Sequence, residues 1–108
     1  MSSDGSQSNV YVYTLLAAHP EMMSRNLTPG ESQAMEAHLD RLKVLRDEGV
    51  IVISGRTLNN DETTFGIVML RADSVSAARE IMNTDPGING GIFKGTLFPF
   101  LITAEEPQ

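Results

Sequence analysis

The sequence has 108 residues, enough for one small domain, and its 41% hydrophobic and 20% charged residues are typical of a folded globular chain. The net charge is -6 and no basic cluster is present, which argues against binding to nucleic acid or to an anionic membrane surface. The lack of cysteine excludes disulfides and thiolate chemistry and favours a reducing, cytoplasmic location, and no apolar stretch approaches the roughly 20 residues of a membrane-spanning helix.

The polar residues 1–9 are interpreted as a disordered leader and residues 105–108 as a frayed tail, which leaves residues 10–104 as the domain. The first predicted strand covers residues 10–18, and its almost continuous apolar run indicates a central strand covered on both faces. A helix is predicted to begin after Thr28, where a proline follows and Glu31 completes a capping box, and to end at about Glu48. Its apolar stripe consists of Met35, His38, Leu39, Leu42 and Leu45.

Two extended runs follow this helix, at residues 50–54 and 64–70, and the turn-rich segment between them predicts an antiparallel hairpin with a long loop. A second helix is predicted to begin after Asp73 or Ser74 and to end at the Asp-Pro-Gly sequence that starts at Asp85. The last strand is predicted over residues 92–102.

The resulting order of strand, helix, strand, strand, helix, strand predicts an α+β, ferredoxin-like βαββαβ fold. This fold has a four-stranded antiparallel sheet with two helices on one face. The other face of the sheet would be bare, although the first strand is apolar on both sides. Exposing that apolar surface to water costs about 25 cal/mol per Å². We therefore predict a homodimer that packs through its sheet faces.

Acid-base chemistry is the best-supported chemistry in the sequence, and its main candidate is His38, which lies on the apolar stripe of the first helix. One interpretation is a structural histidine that hydrogen bonds to a backbone carbonyl. The other is a general acid or base, because an imidazole takes up and releases a proton near neutral pH. Asp85 is the natural partner, since a carboxylate on one ring nitrogen fixes the tautomer and leaves the other nitrogen for substrate. Asp85 is equally typical of an Asp-Pro turn, and sequence spacing does not decide between these roles.

Three further residues are candidates for substrate binding, although a role as an ordinary loop residue is the more frequent one for such positions. Arg56 follows a glycine at the end of the second strand, where its guanidinium could bind a substrate carboxylate through two hydrogen bonds. Ser54 is a possible hydrogen-bond donor, and His19, at the end of the first strand, could line the mouth of a cleft. Neither H-x-x-E-H nor H-E-x-x-H spacing is present, so we predict no metal site.

As an ordered set, these features resemble the YCII-related (YciI-like) family of the dimeric α/β-barrel group. The resemblance rests on residues 11–16 of the first strand, Ala37-His38-Leu39 through Leu42, Glu48-Gly49-Val50 leading to Gly55, residues 74–78 of the second helix, Asp85-Pro86, and Pro99-Phe100. It implies a ferredoxin-like fold that dimerises through its sheets and a His–Asp dyad in a cleft, carried here by His38 and Asp85. It also implies chemistry related to that of relatives acting on chlorinated hydroxyquinone-type aromatics, and of isomerases and cofactor-free monooxygenases in the wider group.

The chain departs from the family pattern at two positions that could line the cleft. Arg56 stands where a proline is common, and Gly87 stands where an aromatic residue is common after Asp-Pro. The first functional hypothesis is a cofactor-free enzyme whose dyad transfers a proton on a small, cyclic or aromatic organic substrate. The second is a non-catalytic small-molecule-binding or assembly module with a structural histidine. A third is a subunit or fused domain that regulates another enzyme.

Overall fold

A computed structural model describes residues 9–105, except for the side chains of residues 23 and 24. Most of the predicted leader and tail therefore lies outside the described residues. The elements in chain order are β1 (Val10–Ala17), a 3-10 helix (Pro20–Ser24), α1 (Pro29–Asp47), β2 (Ile51–Arg56), β3 (Gly66–Arg71), α2 (Val75–Asn83), α3 (Pro86–Asn89) and β4 (Phe93–Phe100). Among the described residues, no helix is long and apolar enough to cross a membrane.

The four strands form one antiparallel sheet in the order β2-β3-β1-β4, which confirms the predicted ferredoxin-like fold. Strand β1 is central, as its apolar sequence predicts. Tyr11, Tyr13 and Leu15 point to the side of the sheet that the helices cover, where they pack with α2 residues such as Ala78. Alternate residues of β1 point to the opposite face.

That opposite face carries a small apolar cluster of its own. Val10, Val12 and Met69 are buried at its centre, and Ile102, just after β4, packs against them. Farther out, Leu16 and Phe98 and several other large apolar side chains remain exposed on the chain surface. Both faces of the sheet are therefore apolar, and only one is covered by helices.

The two long helices begin as the sequence predicts. Thr28 accepts a hydrogen bond from the Glu31 backbone while the Glu31 side chain bonds back to the Thr28 N–H, so the capping box is complete. Helix α1 ends before Gly49, whose φ of 80° is in the region that glycine adopts most easily. Of the two candidates for the cap of α2, Ser74 performs it by accepting from the N–H of Ala77.

The structure differs from the sequence prediction mainly after α2. The Asp-Pro-Gly sequence does more than end that helix, because it begins the short helix α3, which the sequence analysis did not predict. Strand β4 is shorter than predicted and covers Phe93–Phe100. Strand β2 begins one residue later and extends to Arg56, with an irregularity in its pairing between Ile51 and Ile53.

Candidate active site

The candidate site is organised around Asp85, which lies between α2 and α3. Its carboxylate oxygen Oδ1 accepts the N–H of Gly87 at 2.8 Å and so caps the first turn of α3. The side chain is almost completely buried, with 1% of its surface exposed. A buried carboxylate needs hydrogen-bond donors to offset the loss of water, and one backbone N–H is not enough. The neighbouring elements supply two more.

The first additional donor is His38, which α1 places against the start of α3. Its Nδ1 lies 2.6 Å from Oδ1 of Asp85, and the residue is 4% exposed. An ionised carboxylate only accepts hydrogen bonds, so Nδ1 carries a proton, and in the neutral form of the ring Nε2 carries none. Phe93 packs against the ring at a centroid distance of 5.3 Å with an interplanar angle of 61°. No other hydrogen bond to the His38 side chain is formed within residues 9–105.

The second additional donor is Tyr13, on the helix-facing side of β1. Its hydroxyl donates to Oδ2 of Asp85 at 2.6 Å, and the whole residue is buried with 0% exposure. Tyr13 was not among the site residues predicted from the sequence. A signal was available, because a tyrosine predicted to face the core of a central strand needs a buried partner for its hydroxyl.

These contacts determine the charge states of Asp85 and Tyr13. Burial alone would raise the pKa of Asp85, but hydrogen bonds from His38, Tyr13 and the Gly87 backbone outweigh it and hold the pKa below its ordinary value. Burial, reinforced by the hydrogen bond to the Asp85 carboxylate, raises the pKa of Tyr13 far above its ordinary value. Asp85 is therefore ionised and Tyr13 is neutral at neutral pH.

A cavity of about 430 Å³ lies beside His38, between α1 and the ends of β1, β2 and β3. Its walls are largely apolar, and its polar side chains are His38, Ser54, Arg56 and Thr64. Because Nδ1 of His38 is held by Asp85, Nε2 is the ring nitrogen left for a ligand. The remaining lining residues are Leu15, Ala17, Met35, Leu39, Leu42, Gly55, Phe65, Gly66 and Phe93.

The YCII-related domain family model matches residues 12–100, which is most of the chain. The chain belongs to the YCII-related domain family. This match includes all three members of the hydrogen-bonded group, Tyr13, His38 and Asp85. No curated protein matches the sequence.

A solved structure has a similar fold to this YCII-related domain. It is 5-chloro-2-hydroxyhydroquinone dehydrochlorinase (TftG) from Burkholderia phenoliruptrix AC1100, in complex with 2,5-dihydroxybenzoquinone. The TM-score is 0.59 at 18% sequence identity, over 83% of this chain and 92% of that chain. At this identity the likeness establishes the fold alone.

The structure places four of the five predicted site residues of this YCII-related domain at or next to the cavity. His38, Ser54 and Arg56 line it, and Asp85 lies behind His38. His19 is exposed before the 3-10 helix and does not line the cavity. A role for His19 in substrate binding stays a prediction that this geometry does not support.

The two interpretations of Asp85, as the start of a turn and as the partner of His38, are compatible. Its carboxylate caps the start of α3 and bonds His38 at the same time. His38 bonds this carboxylate instead of the backbone carbonyl expected of a purely structural histidine. Within the described part of the chain, no group of three or more His, Cys, Asp or Glu side chains is arranged to hold a metal ion.

Proposed function

We propose that this YCII-related domain is an enzyme in which His38 transfers a proton on a small organic substrate bound in the cavity. The observation that carries the proposal is the position of His38. Asp85 holds one ring nitrogen of His38, and His38 is also one of the residues that line a largely apolar cavity. A side chain placed for packing alone would not need this combination of a charged partner and a ligand-sized space.

The geometry supports general acid-base catalysis in the following way. Asp85 fixes the neutral His38 ring with its proton on Nδ1, so Nε2 can accept a proton from substrate. The imidazolium formed by that transfer lies 2.6 Å from an ionised carboxylate, which stabilises its positive charge. Tyr13 holds the second oxygen of Asp85 and thereby limits rotation of the carboxylate. This scheme needs no cofactor, because the dyad alone carries the proton.

The substrate class we propose is a small cyclic or aromatic compound with an acidic hydrogen. The apolar walls suit a ring, and Phe65 and Phe93 supply aromatic surface. TftG, which shares the fold, is a dehydrochlorinase whose solved complex holds 2,5-dihydroxybenzoquinone. In an elimination of HCl, His38 would take the proton from the substrate while chloride leaves with the carbon–chlorine bonding pair. Isomerisation would use the same residue to return the proton at another position.

We also propose that the working form is a homodimer that packs through the bare faces of two sheets. The support is the apolar cluster of Val10, Val12 and Met69 on that face, bordered by Leu16 and Phe98, which are 47% and 46% exposed. Covering such a surface with a second copy removes apolar area from water. The cysteine-free sequence supports a reducing compartment, and we place the dimer in the cytoplasm.

The catalytic proposal is tested with 5-chloro-2-hydroxyhydroquinone as the probe. Chloride release is measured for the wild-type protein, His38→Gln and Asp85→Asn, with Asp47→Asn as a control that removes one exposed carboxylate. We expect His38→Gln to lower the rate about 100-fold or more, as is usual for the loss of a general base. Asp85→Asn should lower it in the same direction, and Asp47→Asn should leave it unchanged.

The same experiment separates catalysis from the alternative of a binding module. Binding of 2,5-dihydroxybenzoquinone is measured in parallel by calorimetry. A binding module with a structural histidine would bind this compound without chloride release, and His38→Gln would change only its stability. Chloride release that survives His38→Gln would refute the assignment of His38 as the base.

A further inference from the structure

The charge of the cavity is unbalanced. Arg56 is the only permanently charged side chain among the residues that line it, and no aspartate or glutamate is among them. His38 is the other titratable lining group, and its partner Asp85 lies behind it, away from the lining surface. Arg56 is exposed, so water solvates its charge in the free protein, and an anionic ligand in the cavity would give that charge a partner that a neutral ligand lacks.

The strand register directs Arg56 toward the helix-covered side of the sheet. Arg56 pairs with Gly66, and Gly66 pairs in turn with Leu15, whose side chain belongs to the helix-side core. Ser54, two residues earlier, points to the same side because strand side chains alternate. Gly66 has no side chain, so it leaves the space between Leu15 and Arg56 unfilled. A Cβ at this position would lie in that space, 3.6 Å from Cβ of Arg56.

The guanidinium of Arg56 has donors to spare. Its hydrogen bond within residues 9–105 runs from Nη1 to the carbonyl of the adjacent Thr57, at a long 3.3 Å. It forms no ion pair with any side chain in the described part of the chain. A guanidinium presents five N–H donors in a planar fork, which matches two oxygens of a planar anion.

We propose that the substrate binds as a small organic monoanion, with Arg56 as the specificity-determining residue that holds its charged oxygen. This inference rests on the proposed function and names the substrate class of the same cavity. The anionic group is a carboxylate or an ionised phenol, which share a delocalised negative charge on oxygen. It belongs to the ring whose acidic hydrogen His38 removes.

The two residues are complementary in the proton-transfer step. When neutral His38 takes a proton from a monoanion, the substrate becomes a dianion and the ring becomes imidazolium, so total charge is conserved. The second negative charge is costly in an apolar cavity unless a cation stabilises it. Arg56 supplies a cation that is present before the proton moves, and Asp85 stabilises the imidazolium.

The test uses benzoate and benzamide, which have nearly the same shape and differ in charge. Their affinities are measured by calorimetry for the wild-type protein, Arg56→Gln, Arg56→Lys and Arg79→Gln. Arg79→Gln is the matched control, since it removes one positive charge at an exposed residue of α2, outside the cavity lining. We expect the wild type to prefer benzoate about tenfold, as for a charge-assisted hydrogen bond. Arg56→Gln should abolish that preference, Arg56→Lys should retain part of it, and Arg79→Gln should keep it.

Equal affinity of the wild type for the two compounds, or no detectable binding of benzoate, overturns the inference. So does a preference for benzoate that survives Arg56→Gln. A second pair, 4-cyanophenol studied in its neutral and ionised forms, shows whether a phenolate obeys the same rule as a carboxylate. Arg56 lies on an edge strand and is exposed, so its variants are expected to fold, which thermal denaturation checks.

The preference for benzoate over benzamide tests Arg56 independently of the catalytic proposal. The preference for benzoate should persist in His38→Gln, because it depends on Arg56 and not on the base. A protein that prefers benzoate but releases no chloride would retain the anion site and lose the proposed enzyme function. A protein that turns over substrate without any charge preference would lose only the inference about Arg56.

Discussion

Replacing Tyr13 by phenylalanine removes one hydroxyl from a ring that is fully buried, and it leaves the packing of the ring in place. The hydroxyl donates to Oδ2 of Asp85 at 2.6 Å, and Asp85 is itself only 1% exposed. The variant therefore leaves one oxygen of an ionised, buried carboxylate without its donor. Water has little access to replace it.

The magnitude follows from the charge of the acceptor. Losing a donor to a buried charged group costs about 2 to 3 kcal/mol, whereas a neutral hydrogen bond contributes about 1 kcal/mol. In the Asp85→Asn background the amide can keep its oxygen toward His38 and Gly87 and turn its NH2 toward the Tyr13 oxygen. Tyr13→Phe should then cost only about 1 kcal/mol, so the coupling between the two substitutions is about 1 to 2 kcal/mol.

The assay is urea denaturation at pH 7 of the wild type, both single variants and the double variant, all at one protein concentration because a dimer's stability depends on it. Equal costs of Tyr13→Phe in the two backgrounds would refute the reasoning, since they would show that the hydroxyl is not coupled to the charge of Asp85. A change in the slope of the free energy of unfolding against urea concentration would indicate that the native or unfolded state has changed. A variant with such a change is excluded from this double-mutant cycle.

Four further predictions concern the hydrogen-bonded group of Tyr13, His38 and Asp85. Gly87→Ala places a Cβ 2.7 Å from the Phe93 ring and 3.1 Å from Nδ1 of His38, so it should destabilise the fold by about 1 to 3 kcal/mol in thermal denaturation; wild-type stability would contradict the close packing. The free energy of unfolding should fall below about pH 4, because the pKa of Asp85 is lower in the folded state than in the unfolded state and this stabilisation is lost as the pH falls through the folded-state pKa. Asp85→Asn should make the free energy of unfolding less dependent on pH in this range. The free energy of unfolding should likewise fall above about pH 10, because tyrosine ionises there in the unfolded chain while the raised pKa of Tyr13 keeps it neutral in the folded protein. Tyr13→Phe should make the free energy of unfolding less dependent on pH in this range. Nitrogen-15 NMR of the neutral His38 ring should show a protonated Nδ1 and a bare Nε2, and the reverse tautomer would contradict the proposed base.

Much of the fold can be predicted because local chemistry determines it. The capping box of Thr28 and Glu31 sets the start of α1, and the apolar run of β1 indicates a strand covered on both faces. The start of α3 was missed because Asp-Pro-Gly is typical of both a helix end and a helix start. Nothing within that tripeptide distinguishes the two, since the difference lies in how the following residues pack.

The site was predictable only in part. His38 stood out from the sequence because it interrupts an apolar stripe, and Asp85, 47 residues away, was proposed as its partner, but sequence spacing alone could not decide between that role and an Asp-Pro turn. Tyr13 is 72 residues from Asp85, and no local pattern links them. Arg56 was identified as a possible anion-binding residue, but only the pairing of β2 with β3 shows that it shares a cavity with His38.

The contacts of Asp85 show why function and stability are difficult to separate in this domain. One carboxylate caps α3, bonds His38 from α1 and accepts the Tyr13 hydroxyl from β1, so it joins three elements that are distant in sequence. A substitution at Asp85 therefore disturbs the packing of α3 as well as the base, and a lost rate would not by itself identify a catalytic role. The side chain of His38 makes a single hydrogen bond to the described residues, and its loss leaves the cap and the tyrosine contact intact. The structure thus makes His38→Gln the decisive substitution, because it removes the proton acceptor while preserving most of the interactions that hold the site together.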